Sequence, residues 1–147
     1  MNNSLTEEQV KVLNMSQSVI NEVRKVIIGK DEIIIKVLLS ILAGGHILIE
    51  DIPGVGKTTL AVALSKALSL DYKRLQFTPD VLPTDVTGFT ILNKETHKFE
   101  YKQGAALTNL FLADEINRTS SKTQSALLEV MEEGKVTVDG ITHKTVS

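Results

Sequence analysis

The sequence has no cysteine, no tryptophan and only three prolines among 147 residues, and its aromatics amount to 4%. Without cysteine, disulfides and thiolate metal sites are excluded. The three histidines, His46, His97 and His143, are too scattered for a zinc-ligand spacing. Charge of one sign is lacking too. Sixteen basic residues against 18 acidic ones leave a net charge of −2, so no bulk field draws the chain to nucleic acid or to an anionic membrane. Long hydrophobic runs are also missing. The longest, "EIIIKVLLSILAGG", holds about a dozen apolar residues with Lys36 among them, too short and too charged to span a bilayer. The first residues, "MNNSLTEEQVKVL", are polar and acidic, unlike a signal peptide. The expectation is a soluble cytoplasmic protein with no membrane partner and nucleic acid an improbable one.

What is present suits one globular domain: 42% apolar and 23% charged residues, with length enough for a core. Thr6 and Gln9 stand at capping-box spacing, and Val10, Leu13, Ile20, Val23 and Ile27 follow at helical intervals until Gly29 breaks the pattern. A second helix is predicted over 31–42, stopped by Gly44 and Gly45 and apolar on most faces, hence well buried. "HILIE" (46–50) reads as a buried strand, "KTTLAVALSKALSL" as an amphipathic helix and "YKRLQF" as a second strand. "TPDVLPTDVTG" reads as a loop and "FTILNKETHKFEYK" as a hairpin turning at Asn93-Lys94. "TNLFLADEIN" is a third buried strand, "SSKTQSALLEVMEEG" a capped helix closed by Gly134, and "KVTVDGITHKTV" a hairpin with Asp139-Gly140 at its turn. This alternation predicts an α/β fold with a parallel sheet. Three parallel strands make a thin domain, so the chain is expected to be a fragment or the first part of a larger fold.

The stretch "EDIPGVGKTTL" (50–60) places a glycine-rich turn between a strand and a helix, which is the context of a phosphate-binding loop. Gly54 and Gly56 let the backbone curl with its N–H groups inward, and the helix starting near Lys57 adds its positive end. Lys57 would reach the β- and γ-phosphates, and the Thr58 hydroxyl would ligate Mg²⁺. Asp51 stands where the usual G-x-x-x-x-G-K-[ST] pattern has glycine, and a lone Gly-Lys-Thr turn also occurs as a plain surface loop. The second signal is the apolar run ending in Asp114-Glu115. Alone it is a solvated strand end. Beside a phosphate loop, Asp114 would hold the metal and Glu115 would orient and polarise the attacking water.

Three blocks, "LAGGHILIEDIPGVGKTTLA", "RLQFTPDVLPTDVTG" and "LFLADEINRTSSKTQSALLEVMEEGKVTVDG", together resemble the MoxR family of AAA+ ATPases, from Val26 to the end of the chain. In that family the position of Asp51 is often not glycine. The resemblance implies a P-loop NTPase three-layer sandwich with a parallel central sheet and β-hairpin insertions, residues 1–25 forming an N-terminal helix and 26–147 the nucleotide-binding core. It implies ATP and Mg²⁺ as cofactors. Asp51, Pro53, Gly54, Val55, Gly56, Lys57, Thr58 and Thr59 would form the nucleotide-binding loop. Ile28 and Gly29 would pack near the adenine. Asp114 and Thr58 would hold the metal, with Glu115, Lys57 and Asp114 catalytic. The two hairpin regions would face the pore of a hexameric ring, and a partner with a von Willebrand factor A domain is implied for some members. The family's sensor asparagine, arginine finger and helical lid are expected beyond Ser147, so the piece is expected to hydrolyse little ATP alone. Arg118 would meet either a neighbouring subunit or a local group.

Other functions stay open on sequence alone. A passive nucleotide-dependent interaction module would share the same loop. A nucleic-acid motor would need a basic, aromatic-studded stripe, which is missing. A GTPase would need Asn-Lys-x-Asp, and "NKET" (93–96) has threonine in place of the aspartate.

Overall fold

The computed structural model describes residues 5–50 and 56–145. They fall into two compact units, Met1–Leu70 and Asp71–Ser147.

The first unit is helical. Helix α1 (Glu7–Arg24) opens on the expected capping box: the Thr6 Oγ1 accepts from the Gln9 N–H at 3.3 Å and the Gln9 side chain accepts from the Thr6 N–H at 2.9 Å. Helix α2 (Asp31–Leu42) is tied back to α1 by an Arg24–Asp31 ion pair of 2.9 Å. Helix α3 (Lys57–Ala67) packs on α1. Their core is small: Val23, Ile34, Val37, Leu38, Leu60 and Leu64.

Two expectations fail here. Helix α2 is not buried on most faces, since Leu39 and Leu42 remain 60% and 54% exposed. Three helices of this length cover one stripe of each other and leave the opposite stripe open. "HILIE" forms no strand. A strand exists only through its ladder of hydrogen bonds, and none is present among the described residues; Leu48 is 71% exposed.

The second unit carries the sheets. Strand β1 (Tyr72–Gln76) is extended and leads into a loop that the two prolines mark. That loop is partly helical, contrary to expectation: α4 (Pro83–Thr87) has Pro83 at its first position, where the missing N–H costs nothing, and the Asp85 carboxylate accepts from the Leu82 N–H at 2.8 Å. Strands β2 (Gly88–Leu92) and β3 (Phe99–Gln103) form an antiparallel hairpin. Its turn is built on Asn93, whose Oδ1 accepts from the Glu95 and Thr96 N–H groups. Strand β4 (Leu110–Asp114) pairs in parallel with β1, Gln76 opposite Asp114. Helix α5 (Ser121–Glu133) is capped by the Ser120 hydroxyl and closed by Gly134 at φ 62°. Strands β5 (Lys135–Val138) and β6 (Ile141–Lys144) form the last hairpin, with Asp139 and Gly140 at φ 49° and 77°, as a tight I′-type turn requires.

The core of this unit joins Phe77, Val86, Ala106, Leu107, Leu127, Val130 and Val136. Thr123 anchors α5 to the proline loop by donating to the Val81 carbonyl at 2.8 Å. The two hairpins meet through Tyr101 and His143, whose rings stack at 3.7 Å and 14°. The parallel sheet is thus two-stranded among the described residues, and the α/β character stands. No described helix is long and apolar enough to cross a membrane.

Candidate functional site

The expected site residues lie in both units. In the first, α3 starts at Gly56, whose φ of 74° is the left-handed conformation that glycine adopts without strain. The Leu60 N–H closes the first helical bond on the Gly56 carbonyl at 2.8 Å. The N–H groups of Lys57, Thr58 and Thr59 precede that bond and so lack an intrahelical acceptor. No carboxylate lies in this first turn. The helix therefore begins with converging N–H groups, a positive dipole end and one ammonium, an arrangement suited to an anion. Lys57 is half-buried, while Thr58 and Thr59 are exposed. Asp51, Pro53, Gly54 and Val55 lie outside the described residues.

Gly29 also has a left-handed φ of 76° where the chain turns into α2, and Ile28 beside it is 86% exposed. Ile27, which the sequence marks only as a core position of α1, lies against the loop end. A Cβ on Gly56 would come within 3.9 Å of its Cδ1.

In the second unit, β4 delivers Asp114 at its last position, and the chain then turns sharply. Glu115 sits at φ 56°, ψ 42°, a left-handed conformation that costs energy for any residue with a Cβ. A single 3₁₀ turn over Ile116–Arg118 follows. Both carboxylates are engaged. The Arg74 Nη2 donates to Asp114 Oδ2 at 2.7 Å. Glu115 Oε2 accepts from Arg118 Nη1 at 2.8 Å and from Gln76 Nε2 at 3.2 Å. Arg118, first, and then Gln76 hold the Glu115 carboxyl below its ordinary range. The hydrogen bond to Asp114 raises the Arg74 guanidinium further, and burial pushes up the Tyr72 hydroxyl beside it. Arg118 thus makes a local contact within its own chain.

Arg74 and Gln76 are site neighbours that the sequence reading missed. Their signal was available: alternate positions of a strand point to one face, and "YKRLQF" places Tyr72, Arg74 and Gln76 on it. Among the described residues no three His, Asp or Glu side chains cluster as a metal cage.

Residues 46–147 match the ATPase family associated with various cellular activities (AAA). The chain is 58% identical over 123 residues to the uncharacterized protein YeaC of Bacillus subtilis, covering 84% of this chain and 38% of that protein. It is 41% identical over 121 residues to the chaperone MoxR1 of Mycobacterium tuberculosis, covering 82% and 32% respectively. A crystal structure from Cytophaga hutchinsonii, described as that of an ATPase, superimposes with a TM-score of 0.79 at 41% identity, over 97% of this chain and 45% of that one. The chain belongs to the MoxR family of AAA+ ATPases and has its P-loop α/β fold. It spans roughly a third to under a half of the length of these relatives.

Proposed function

We propose that the chain binds ATP with Mg²⁺ and carries the hydrolytic centre of a MoxR-type ATPase that remodels or assembles protein complexes. The observation that carries this reading is the start of α3, where Gly56, Lys57, Thr58 and Thr59 put free N–H groups, an ammonium and hydroxyls at one positive helix end. Three phosphates match that set, and the loop 51–56 in front of it would wrap them.

The roles follow from the side chains. Lys57 neutralises the β- and γ-phosphates as a mobile point charge. Thr58 and Asp114 are the oxygens that would hold the metal, which when bound polarises the γ-phosphoryl group. Glu115 accepts the proton of the attacking water. Arg118 and Gln76 both address Oε2, which leaves Oε1 as the oxygen to face that water. Ile28 and Gly29 would lie against the adenine, the exposed Ile28 supplying an apolar face. A ring of six copies and a partner with a von Willebrand factor A domain are further proposals, resting on the family resemblance alone.

The engaged Glu115 also favours a second reading, a module that binds nucleotide and turns over little. One experiment separates the two. Calorimetry with Mg·ATP, beside a phosphate-release assay, is run on the wild type, Lys57→Ala and Glu115→Gln. Lys57→Ala should weaken binding by about 100-fold or more, on the order of the loss of a buried charged partner. An enzyme keeps ATP bound in Glu115→Gln and loses turnover by about 10²–10⁴. ATP binding by the wild type with phosphate release no faster than in buffer establishes the passive module, equal and fast release by wild type and Glu115→Gln refutes Glu115 as the catalytic base, and unchanged binding in Lys57→Ala refutes both readings.

A further inference from the structure

We propose that Arg74 is a built-in counter-cation for Asp114, which holds the carboxylate until a divalent ion arrives and competes with that ion for the same carboxylate. The inference rests on the reading of Asp114 as a metal ligand. Four observations lead to it.

The first is reach. Gln76 is the residue in register with Asp114, and Arg74 lies two positions behind it on β1. Its side chain runs diagonally forward to place Nη2 on Oδ2 at 2.7 Å, while Gln76 passes over its own opposite number to bind Glu115. The second is shielding. Among the ion pairs of the described residues, this one has the least exposed acid, at 23%, and the least exposed base, at 39%. Water therefore screens it less than the other pairs.

The third is charge balance. Asp114 and Glu115 are adjacent carboxylates and repel each other when no cation is near. Arg74 and Arg118 supply one guanidinium to each, so the four groups sum to zero. The fourth is chemical. A guanidinium on Oδ2 and a divalent ion on the same carboxylate are two cations close together, and their repulsion makes each weaken the other's hold. A free divalent ion would add two charges to an already neutral cluster. An ion that arrives with nucleotide phosphates brings its own compensating negative charge. Arg74 thereby selects for the metal–nucleotide complex over the bare ion, and keeps the acidic pair ordered between visits.

The test is Mn²⁺ binding in the presence of ADP, read from the electron paramagnetic resonance of the free aquo ion. The variants are Arg74→Gln, Arg74→Lys, Arg118→Gln, Asp114→Asn and the double variant Arg74→Gln/Asp114→Asn. Losing the competitor should tighten Mn²⁺ binding by about 1.5- to 5-fold, the range that such partly exposed pairs are worth. Arg74→Lys keeps a competing charge and the fold, and should stay near wild type. Asp114→Asn should weaken binding by about tenfold or more, as loss of a ligand does. The double variant should then match Asp114→Asn alone. Two results overturn the inference and leave the metal site intact: Arg74→Gln binding no tighter than wild type while Asp114→Asn weakens it, or Arg118→Gln tightening binding as much as Arg74→Gln, which would make the effect one of bulk charge. If Asp114→Asn matches wild type, including the case in which neither binds, the metal-ligand reading itself falls and the inference falls with it.

Discussion

Gly104 stands where the chain leaves the first hairpin, and nothing larger fits. A Cβ there would collide with the Val86 carbonyl oxygen and the Gly88 N–H nitrogen, both backbone atoms that cannot rotate away. Gly88, at φ 89°, is pressed on the other side, with the Tyr101 hydroxyl 2.6 Å from its would-be Cβ. The close approach is what lets the Ala105 and Ala106 N–H groups bond to the Asp85 and Val86 carbonyls. Gly104→Ala should therefore destabilise the protein by about 1–3 kcal/mol, the usual cost of overpacking. Urea unfolding measures it, and a midpoint equal to that of the wild type would show that the backbone has slack there. Single residues also explain what sequence could tell of the site. Lys57, Thr58, Asp114 and Glu115 could be proposed from sequence because their chemistry comes with fixed spacing. Alternation puts Arg74 and Gln76 on one face of β1, but their partners could not be read, because pairing between β1 and β4 is not written in either strand. Ile27 was read as core, since periodicity alone does not say that a helix ends against a loop.

Elements form where local chemistry is self-sufficient. Helix α5 has a cap at each end: Ser120 accepts from the Thr123 N–H at 3.3 Å, and Gly134 gives its N–H to the Val130 carbonyl at 2.9 Å. Ser120→Ala should cost about 1 kcal/mol in thermal or urea unfolding, and Ser120→Asp, another good cap, should restore most of it. A loss in both variants alike would mean that the Ser120–Thr123 hydroxyl contact, at 3.2 Å, matters more than the cap. The capping box of α1, the Asn93 turn and the Asp139-Gly140 turn were legible for the same reason, each being made by a few neighbours in sequence. "HILIE" and the proline loop were not. A strand's existence depends on a partner elsewhere in the chain. Two prolines mark a break, but Pro83 at a helix's first position starts one instead.

At the scale of the whole molecule, surface is the informative quantity. Val12, Leu13 and Met15 on α1, Leu39 and Leu42 on α2, and Leu48 are all more than half exposed. Soluble monomers seldom carry so many large apolar side chains in one helical unit. The native chain should therefore enhance the fluorescence of the dye ANS several-fold below its unfolding transition, and Leu39→Gln with Leu42→Gln should lower that signal without lowering helicity. Emission no stronger than that of dye in buffer would show these side chains to be covered in solution. The ring stack between Tyr101 and His143 has a consequence of another kind. Each hairpin alone is a two-stranded ribbon, which bends easily about its base. Clasped at mid-length by two flat rings, they stiffen each other, so a load on one tip is borne by both roots and the pair moves as a single lever.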